Sequence, residues 1–389
     1  MRTLIALGCV KLATVAVLIS LAAACGGSRA PPSATVSPNT PATAEEVEIR
    51  SPTPATAPEA TGTPLPPPPS TLLFVTSEAD GALHVFRGLD DEPIAVIPTV
   101  PGAHNLAVSP DGRWIAVSSP SAGEVSIVDS RALVEVARLA IGQRPHDVLF
   151  SRDATLLYVS RDAGSALQVV EVGTWRLVRS IEVGISQHSL AFNADESQLW
   201  MTIGLNAYPA EPRSVLVLDL ATLSVLARID TGRDAHDIAR SPDGLEFWIT
   251  NSGVPSVVDN HVTIIDATTR SFRQLHIGSY PSHPFKADRE VSPPDVVMPS
   301  LVWISDIGRG ALLAVDPARE FVSVEIDIPS QSLHHVVLDP FGRAYVADSG
   351  SDSVVVVDLS TGSIVARLPV AGPHGVGLLV DSVASAPGR

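Results

Sequence analysis

The sequence predicts an all-β fold, a seven-bladed β-propeller closed by pairing of its N- and C-terminal strands and preceded by a disordered tether. Three observations predict it. A turn-and-strand unit recurs from Thr71 onward, a histidine stands at a fixed place in each unit, and the first and last segments are complementary fragments of one unit.

The unit is clearest where Ser109-Pro110-Asp111-Gly112-Arg113-Trp114-Ile115-Ala116-Val117 is set beside Ser241-Pro242-Asp243-Gly244-Leu245-Glu246-Phe247-Trp248-Ile249; looser copies open at Ser151, Asn193 and Asp339. Pro-Asp-Gly is turn chemistry, because Pro presets φ and Gly takes the positive φ that a tight turn requires. Each turn is followed by an apolar strand such as Leu156-Leu157-Tyr158-Val159-Ser160. A second ends in Asp, as in Val125-Ser126-Ile127-Val128-Asp129, and a third alternates, as in Leu133-Val134-Glu135-Val136-Ala137-Arg138-Leu139. With the strand before the turn, each unit is four short antiparallel strands. A repeat of roughly 40–50 residues is the period of propeller blades. One blade cannot cover both of its faces, so blades must stack.

Histidine counts the blades. His104, His146, His188, His236 and His334 each stand five residues before the residue that opens a turn. His283 lies between the last two, its turn displaced by an insertion around Pro284 to Pro299, and His374 ends the series. The spacings are 42, 42, 48, 47, 51 and 40 residues, which makes seven units. The segment from Leu72 to Ile97 supplies three strands without an innermost one, and His374 to Val380 supplies one strand alone. Joined, they complete the seventh blade and remove the exposed sheet edges. The propeller is expected over residues 71–382, with a tail at 383–389.

The chain has 389 residues, 45% hydrophobic but only 5% aromatic, so its core is expected to be mostly Val, Leu, Ile and Ala. Its formal charge is -16, which argues against nucleic-acid partners, since those need a basic patch. Residues 1–24 have the layout of a secretory signal: Arg2 and Lys11 supply charge, and an apolar run from Leu12 to Ala24 ends in small residues. Residues 25–70 are rich in Pro, Thr, Ala and Ser and end in Pro64-Leu65-Pro66-Pro67-Pro68-Pro69-Ser70, the composition of an extended spacer with little apolar surface to bury. The cysteines are Cys9 and Cys25, so the folded part has no disulfide and no thiolate ligand.

Three resemblances add to this reading. Leu21-Ala22-Ala23-Ala24-Cys25-Gly26 resembles a bacterial lipobox, with Ala22 where Leu is usual. That resemblance implies lipidation at Cys25 and an extracytoplasmic protein anchored to the membrane of the cell envelope. Leu157-Tyr158-Val159-Ser160 and Ala344-Tyr345-Val346-Ala347, with strands ending Ile264-Ile265-Asp266 and Val217-Leu218-Asp219, resemble the YVTN-type propeller repeat. That repeat implies the fold and says little of function. Thirdly, the patterns Pro373-His374-Gly375 and His334-His335 are similar to those of the nitrous oxide reductase propeller, where histidines gather around copper. This chain lacks the second copper domain and the thiolates of that enzyme, so the likeness implies a copper-type site rather than the reaction.

The innermost strand of a blade opens at the central channel, and seven units would each place one imidazole there. His104, His146, His188, His236, His283, His334 and His374 are therefore the candidate metal ligands, and neutral imidazole suits copper, zinc, iron or nickel. Asp147 and Asp237 follow ring histidines directly and are candidates to orient neighbouring imidazoles. His84, His261 and His276 fall out of register and are read as ordinary residues, and His335 is expected to point away from the channel by strand alternation. The leading expectation is a monomeric envelope protein binding a transition metal, copper foremost, with redox or metal-handling chemistry open. Two alternatives stand beside it: a metal-free binding or scaffold propeller, and a lactonase-like hydrolase using carboxylates such as Asp147, Asp237 and Glu290. The sequence carries no glycine-rich nucleotide loop, no Gly-x-Ser-x-Gly elbow and no His-Glu-x-x-His helix.

Overall fold

The computed structural model describes residues 71–203, 214–231, 235–251, 260–278, 281–284, 301–330 and 332–380, together with the backbone of 45–47; at 282–284 it describes the backbone only. The expected signal segment, Cys25, the tail, and Glu290 lie outside the described residues, as does the expected tether apart from residues 45–47.

Each repeat of the sequence becomes one four-stranded antiparallel sheet, and there are seven. Blade 1 runs from Leu106–Val108 to Val134–Ala140, blade 2 from Pro145–Phe150 to Arg176–Glu182, and blade 3 from Leu190–Phe192 to Val225–Asp230. Blade 4 runs from Ala235–Arg240 to Phe272–His276, blade 5 from Pro281–Pro284 to Phe321–Asp327, and blade 6 from Leu333–Leu338 to Ser363–Pro369. Blade 7 is composite: Pro373–Val380 pairs antiparallel with Thr71–Ser77, placing Thr71 opposite Val380 and Ser77 opposite Pro373. Each innermost strand touches the innermost strands of both neighbouring blades, so the seven sheets close on themselves. The chain is a seven-bladed β-propeller.

The turns show why the sequence repeats as it does. Ser109 Oγ accepts the backbone N–H of Trp114 at 2.9 Å and donates to Asp111 Oδ1. Ser151 and Ser241 do the same for Leu156 and Glu246, while the Asn193 and Asp339 side chains accept from Gln198 and Arg343. A Ser, Asn or Asp is required there because each has a short acceptor that closes its own turn. Gly112 and Gly244 then take φ of 69° and 76°. The aspartate ending the third strand accepts backbone N–H groups of the next turn, as Asp129 does from Arg131 and Ala132 at 2.9 Å.

The core lies between blades. The buried apolar residues form seven clusters, each joining two adjacent blades. Strand alternation divides each blade between its neighbours: Leu199 and Met201 pack toward blade 2, whereas Trp200 between them packs toward blade 4. Likewise Val354 and Val356 face blade 7 while Val355 and Val357 face blade 5. Aliphatic residues dominate, as composition predicts, but three of the largest fully buried side chains are Trp200, Trp248 and Trp303.

One feature departs from expectation. Glu45–Val47, inside the stretch expected to be disordered, forms a short strand parallel to Phe272–His276, with Glu45, Glu46 and Val47 opposite Arg273, Gln274 and Leu275. An outer strand has an unpaired edge to which any extended segment can add through backbone bonds. Composition does not report this, because the partner strand lies over two hundred residues away in sequence.

Two predictions follow from these constraints. A Cβ at Gly375 would sit 2.9 Å from His104 O and 3.0 Å from Leu106 N, both backbone atoms that cannot swing aside. G375A is expected to cost about 1–3 kcal/mol by overpacking, read as a lowered denaturation midpoint; a wild-type midpoint would contradict this account of ring closure. Asp129, Asp219 and Asp266 are held below the ordinary aspartate value of 3.8, chiefly by backbone N–H groups of Ala132, Thr222 and Thr269 respectively. A carboxylate whose folded value is depressed stabilises the fold above its unfolded value, and that contribution disappears as pH falls through the folded one. The melting temperature should therefore drop below about pH 4, and the triple variant D129N/D219N/D266N should show a shallower drop. An unchanged acid slope in that variant would count against the turns as its source.

Candidate metal centre at the inner strands

In six blades the expected ring histidine is the first residue of a β-bulge. In blade 2 the register shifts so that His146 and Asp147 together oppose Ser160, and in blade 4 His236 and Asp237 oppose Thr250. Blade 6 sets His334 and His335 against Ala347, and blade 7 sets His374 and Gly375 against Thr76. Blades 1 and 3 show the same pattern in their hydrogen bonds: His104 N donates to Ser118 O and Ser118 N to Asn105 O, and His188 N donates to Thr202 O and Thr202 N to Ser189 O. In blade 5 Ser282 and His283 oppose Ser305, so the backbone register gives Ser282 the place of His146 and His283 that of Asp147, one residue off the place expected for a seventh ring histidine. A bulge puts two residues against one and re-aims the side chain it carries.

The residue opposite the bulge fixes it to the next blade. Thr76 Oγ1 accepts from Gly375 N at 2.8 Å and donates to His104 O at 2.5 Å. Ser160 Oγ accepts from Asp147 N at 2.8 Å and donates to His188 O at 2.6 Å. Thr202 Oγ1 accepts from Ser189 N at 3.0 Å and donates to His236 O at 2.7 Å. Ser118 Oγ donates to His146 O at 2.5 Å. A small hydroxyl in the second strand thus ties each of these histidine carbonyls to the preceding blade. Sequence reading passed over these residues, although Thr76, Ser118, Ser160 and Thr202 recur at 42-residue intervals.

The tied backbones bring six imidazoles side by side. Between neighbours in the order His334, His374, His104, His146, His188 and His236, ring centroids are 4.4, 3.7, 4.8, 3.7 and 4.6 Å apart. The His283 side chain, expected between His236 and His334, lies outside the described residues. His335 departs from expectation: its ring is 5.2 Å from that of His374, because the bulge between Leu333 and Val336 breaks the alternation that would have turned it away. His84 pairs with Asp80 at 3.1 Å, and His261 packs edge-on to His276 at 5.0 Å on the outer strands of blade 4.

Among the described residues, two carboxylates contact this row, and neither was singled out from the sequence. Glu78 Oε1 accepts from His104 Nδ1. Asp162 Oδ1 accepts from His188 Nδ1 at 2.8 Å, with Arg144 3.6 Å from its other oxygen. Both stand two residues after a tying hydroxyl, Thr76 and Ser160, and the residue at the same offset from Ala347, Ser349, lies 3.0 Å from His334 Nε2. That offset was the available signal. Asp147 and Asp237, the expected orienting residues, are buried between inner strands. Asp147 accepts from Leu190 N at 2.8 Å, and the single hydroxyl of Ser189 stands between the two carboxylates, against Asp237 Oδ1 and 3.2 Å from Asp147 Oδ2. They act on His188 through their charge.

The electrostatics separate two adjacent imidazoles. Burial, and then the charge of His188, push His146 well below 6.5, so it is neutral at pH 7. Burial also works against charging His188, but Asp162, by charge and hydrogen bond, outweighs it with help from Asp237 and Asp147, and His188 is raised. His104 Nδ1 faces Glu78, its Nε2 lies 3.1 Å from His146 Nε2, and His146 Nδ1 lies 3.5 Å from Asn105 Nδ2.

Among the described residues, donor atoms converge in two places. Glu78, His104 and His374 each present one within 4.8 Å of the others, and so do His146, Asp162 and His188. Ligands at 2.0–2.1 Å around a tetrahedral ion are about 3.3 Å apart, so these side chains would have to turn and draw together to hold one. His146 is already in the neutral form that a metal requires.

Known proteins agree on the architecture. No family model matches the chain. It is 25% identical over 123 residues to the seven-bladed beta-propeller protein Rv1057 of Mycobacterium tuberculosis, a match covering 31% of this chain and 30% of that protein. Hydrazine synthase of Kuenenia stuttgartiensis superposes with a TM-score of 0.64 at 18% identity, covering 79% of this chain and 99% of that one. The dihydro-heme d1 dehydrogenase NirN in complex with DHE gives 0.58 at 17%, covering 83% and 79%. Apo AztD from Citrobacter koseri gives 0.56 at 16%, covering 80% and 98%. These likenesses establish the fold alone.

Thr202→Val removes the hydroxyl that joins Ser189 N to His236 O. Leaving those buried groups unpaired is expected to cost about 1–3 kcal/mol, measurable by urea denaturation. A loss below a few tenths would show that the tie contributes little.

Proposed function

We propose that the protein binds a divalent transition-metal ion through the histidines of its inner strands. The observation that carries this reading is the convergence of imidazole and carboxylate donors from different blades at the His146, Asp162 and His188 group and at the Glu78, His104 and His374 group. Packing alone does not call for six neighbouring imidazoles on six inner strands, and imidazole with carboxylate is a borderline-to-hard donor set. Copper(II) heads the divalent affinity order for such ligands and zinc follows, so copper(II) is the expected tightest ion. The likeness to the nitrous oxide reductase propeller and to YVTN-type repeats belongs to this same proposal, as do lipidation at Cys25 and anchorage at the cell envelope. The lactonase alternative draws nothing from Asp147 and Asp237, whose oxygens are engaged with Ser189 and Leu190.

The test is metal retention. The full chain, stripped with chelator and given copper(II) or zinc(II), is expected to carry metal through gel filtration. The double variant His146→Ala/His188→Ala should carry at least tenfold less at limiting metal. Equal retention by wild type and variant, or only trace metal in both, defeats the proposal and leaves a propeller that binds by its surface.

A further inference from the structure

We infer that the imidazole row holds two unlike metal ions rather than one, a shielded ion at His146, Asp162 and His188 and an accessible ion at Glu78, His104 and His374. This rests on the metal-binding reading above and adds stoichiometry and access to it.

The donors divide because the carboxylates divide. Glu78 belongs to blade 7 and reaches His104 of blade 1; Asp162 belongs to blade 2 and reaches His188 of blade 3. Each brings one negative charge to two imidazoles, and the two groups share no residue. Stacking follows the same division. His104 lies flat on His374 at 3.7 Å, and His146 lies flat on His188 at 3.7 Å, while the step between the pairs is an edge contact of 4.8 Å at 67°. Across that step His104 Nε2 and His146 Nε2 are 3.1 Å apart; both imidazoles can take an ion only once this contact opens, because an N–H···N bond leaves one partner without a free lone pair. His104 Nδ1 faces Glu78. One ion drawing on both pairs would have to leave one of the two carboxylates behind.

Exposure makes the two groups unlike. The Glu78 and His104 side chains are 47% and 16% exposed, against 3% and 7% for Asp162 and His188. The first group therefore meets solvent and the second does not. Gly372 O holds the Glu78 backbone through its N–H at 3.0 Å, so Glu78 stays at the row although its side chain is half in water. Arg144 stands by the outer oxygen of Asp162 and keeps its other oxygen on His188.

The experiment is a titration of the full chain, stripped of metal, with copper(II) alone and with zinc(II) alone. Bound equivalents are read by calorimetry and by metal analysis after gel filtration. Two equivalents are expected in wild type and one each in E78Q and D162N. The ion left in D162N should be stripped by chelator at least tenfold faster than the ion left in E78Q. Two copper(II) ions in one row should also give a spin-coupled resonance spectrum that E78Q converts to an isolated-ion spectrum. Glu78 is exposed enough that E78Q should keep the wild-type melting temperature; if D162N does not fold, His188→Asn takes its place. A single equivalent in wild type, or two in E78Q, overturns the two-ion inference and leaves metal binding standing. No bound metal in wild type removes both.

Discussion

From blade 7 through blade 4 the inner strands are joined by one interaction, a second-strand hydroxyl set opposite a two-residue bulge. Thr76, Ser160 and Thr202 each take an N–H from their own blade and give a proton to a histidine carbonyl of the next. Such a bond contributes about 1 kcal/mol, whereas burying one large aliphatic side chain contributes roughly 1.5–3 kcal/mol. Each interface between blades buries eight or more apolar residues. The clusters therefore supply stability, and the hydroxyls supply placement. They fix where the histidine backbones stand to within a hydrogen bond, which side-chain packing on the outer strands cannot do.

Placement creates an electrostatic problem that the site then uses. Imidazoles stacked at 3.7 Å and shielded from water, as His146 and His188 are, resist both becoming cations. The fold resolves this by giving neighbours different surroundings. His146 has burial against it and stays neutral, while His188 has Asp162 in contact with Asp147 and Asp237 nearby and leans toward charge. A row that is partly neutral and flanked by carboxylates offers lone pairs and negative charge together, the combination a divalent cation needs.

Much of this was legible in the sequence, for a particular reason. A repeat that must close its own turn needs Ser, Asn or Asp at Ser109, Ser151, Asn193, Ser241 and Asp339, so local chemistry prints the blade boundaries. Five histidines could be counted because each stands five residues before a turn, and the split blade could be joined because its two ends lack complementary strands. Glu78 and Asp162 were harder to read, since each acts on a histidine of another blade, 26 residues further along the chain. His335 was misread because alternation holds only until a bulge intervenes. The strand at Glu45–Val47 was not legible, because nothing local marks a segment that pairs through its backbone.

By itself, the sequence determined the number of blades and the manner of closure, because turns and strand periodicity are set by residues within a few positions of one another. Only the tertiary structure decided which carboxylates meet which imidazoles, and which rings stack or meet edge to edge. Those are relations between blades, and they follow from how seven sheets twist and pack around a common axis rather than from any order along the chain.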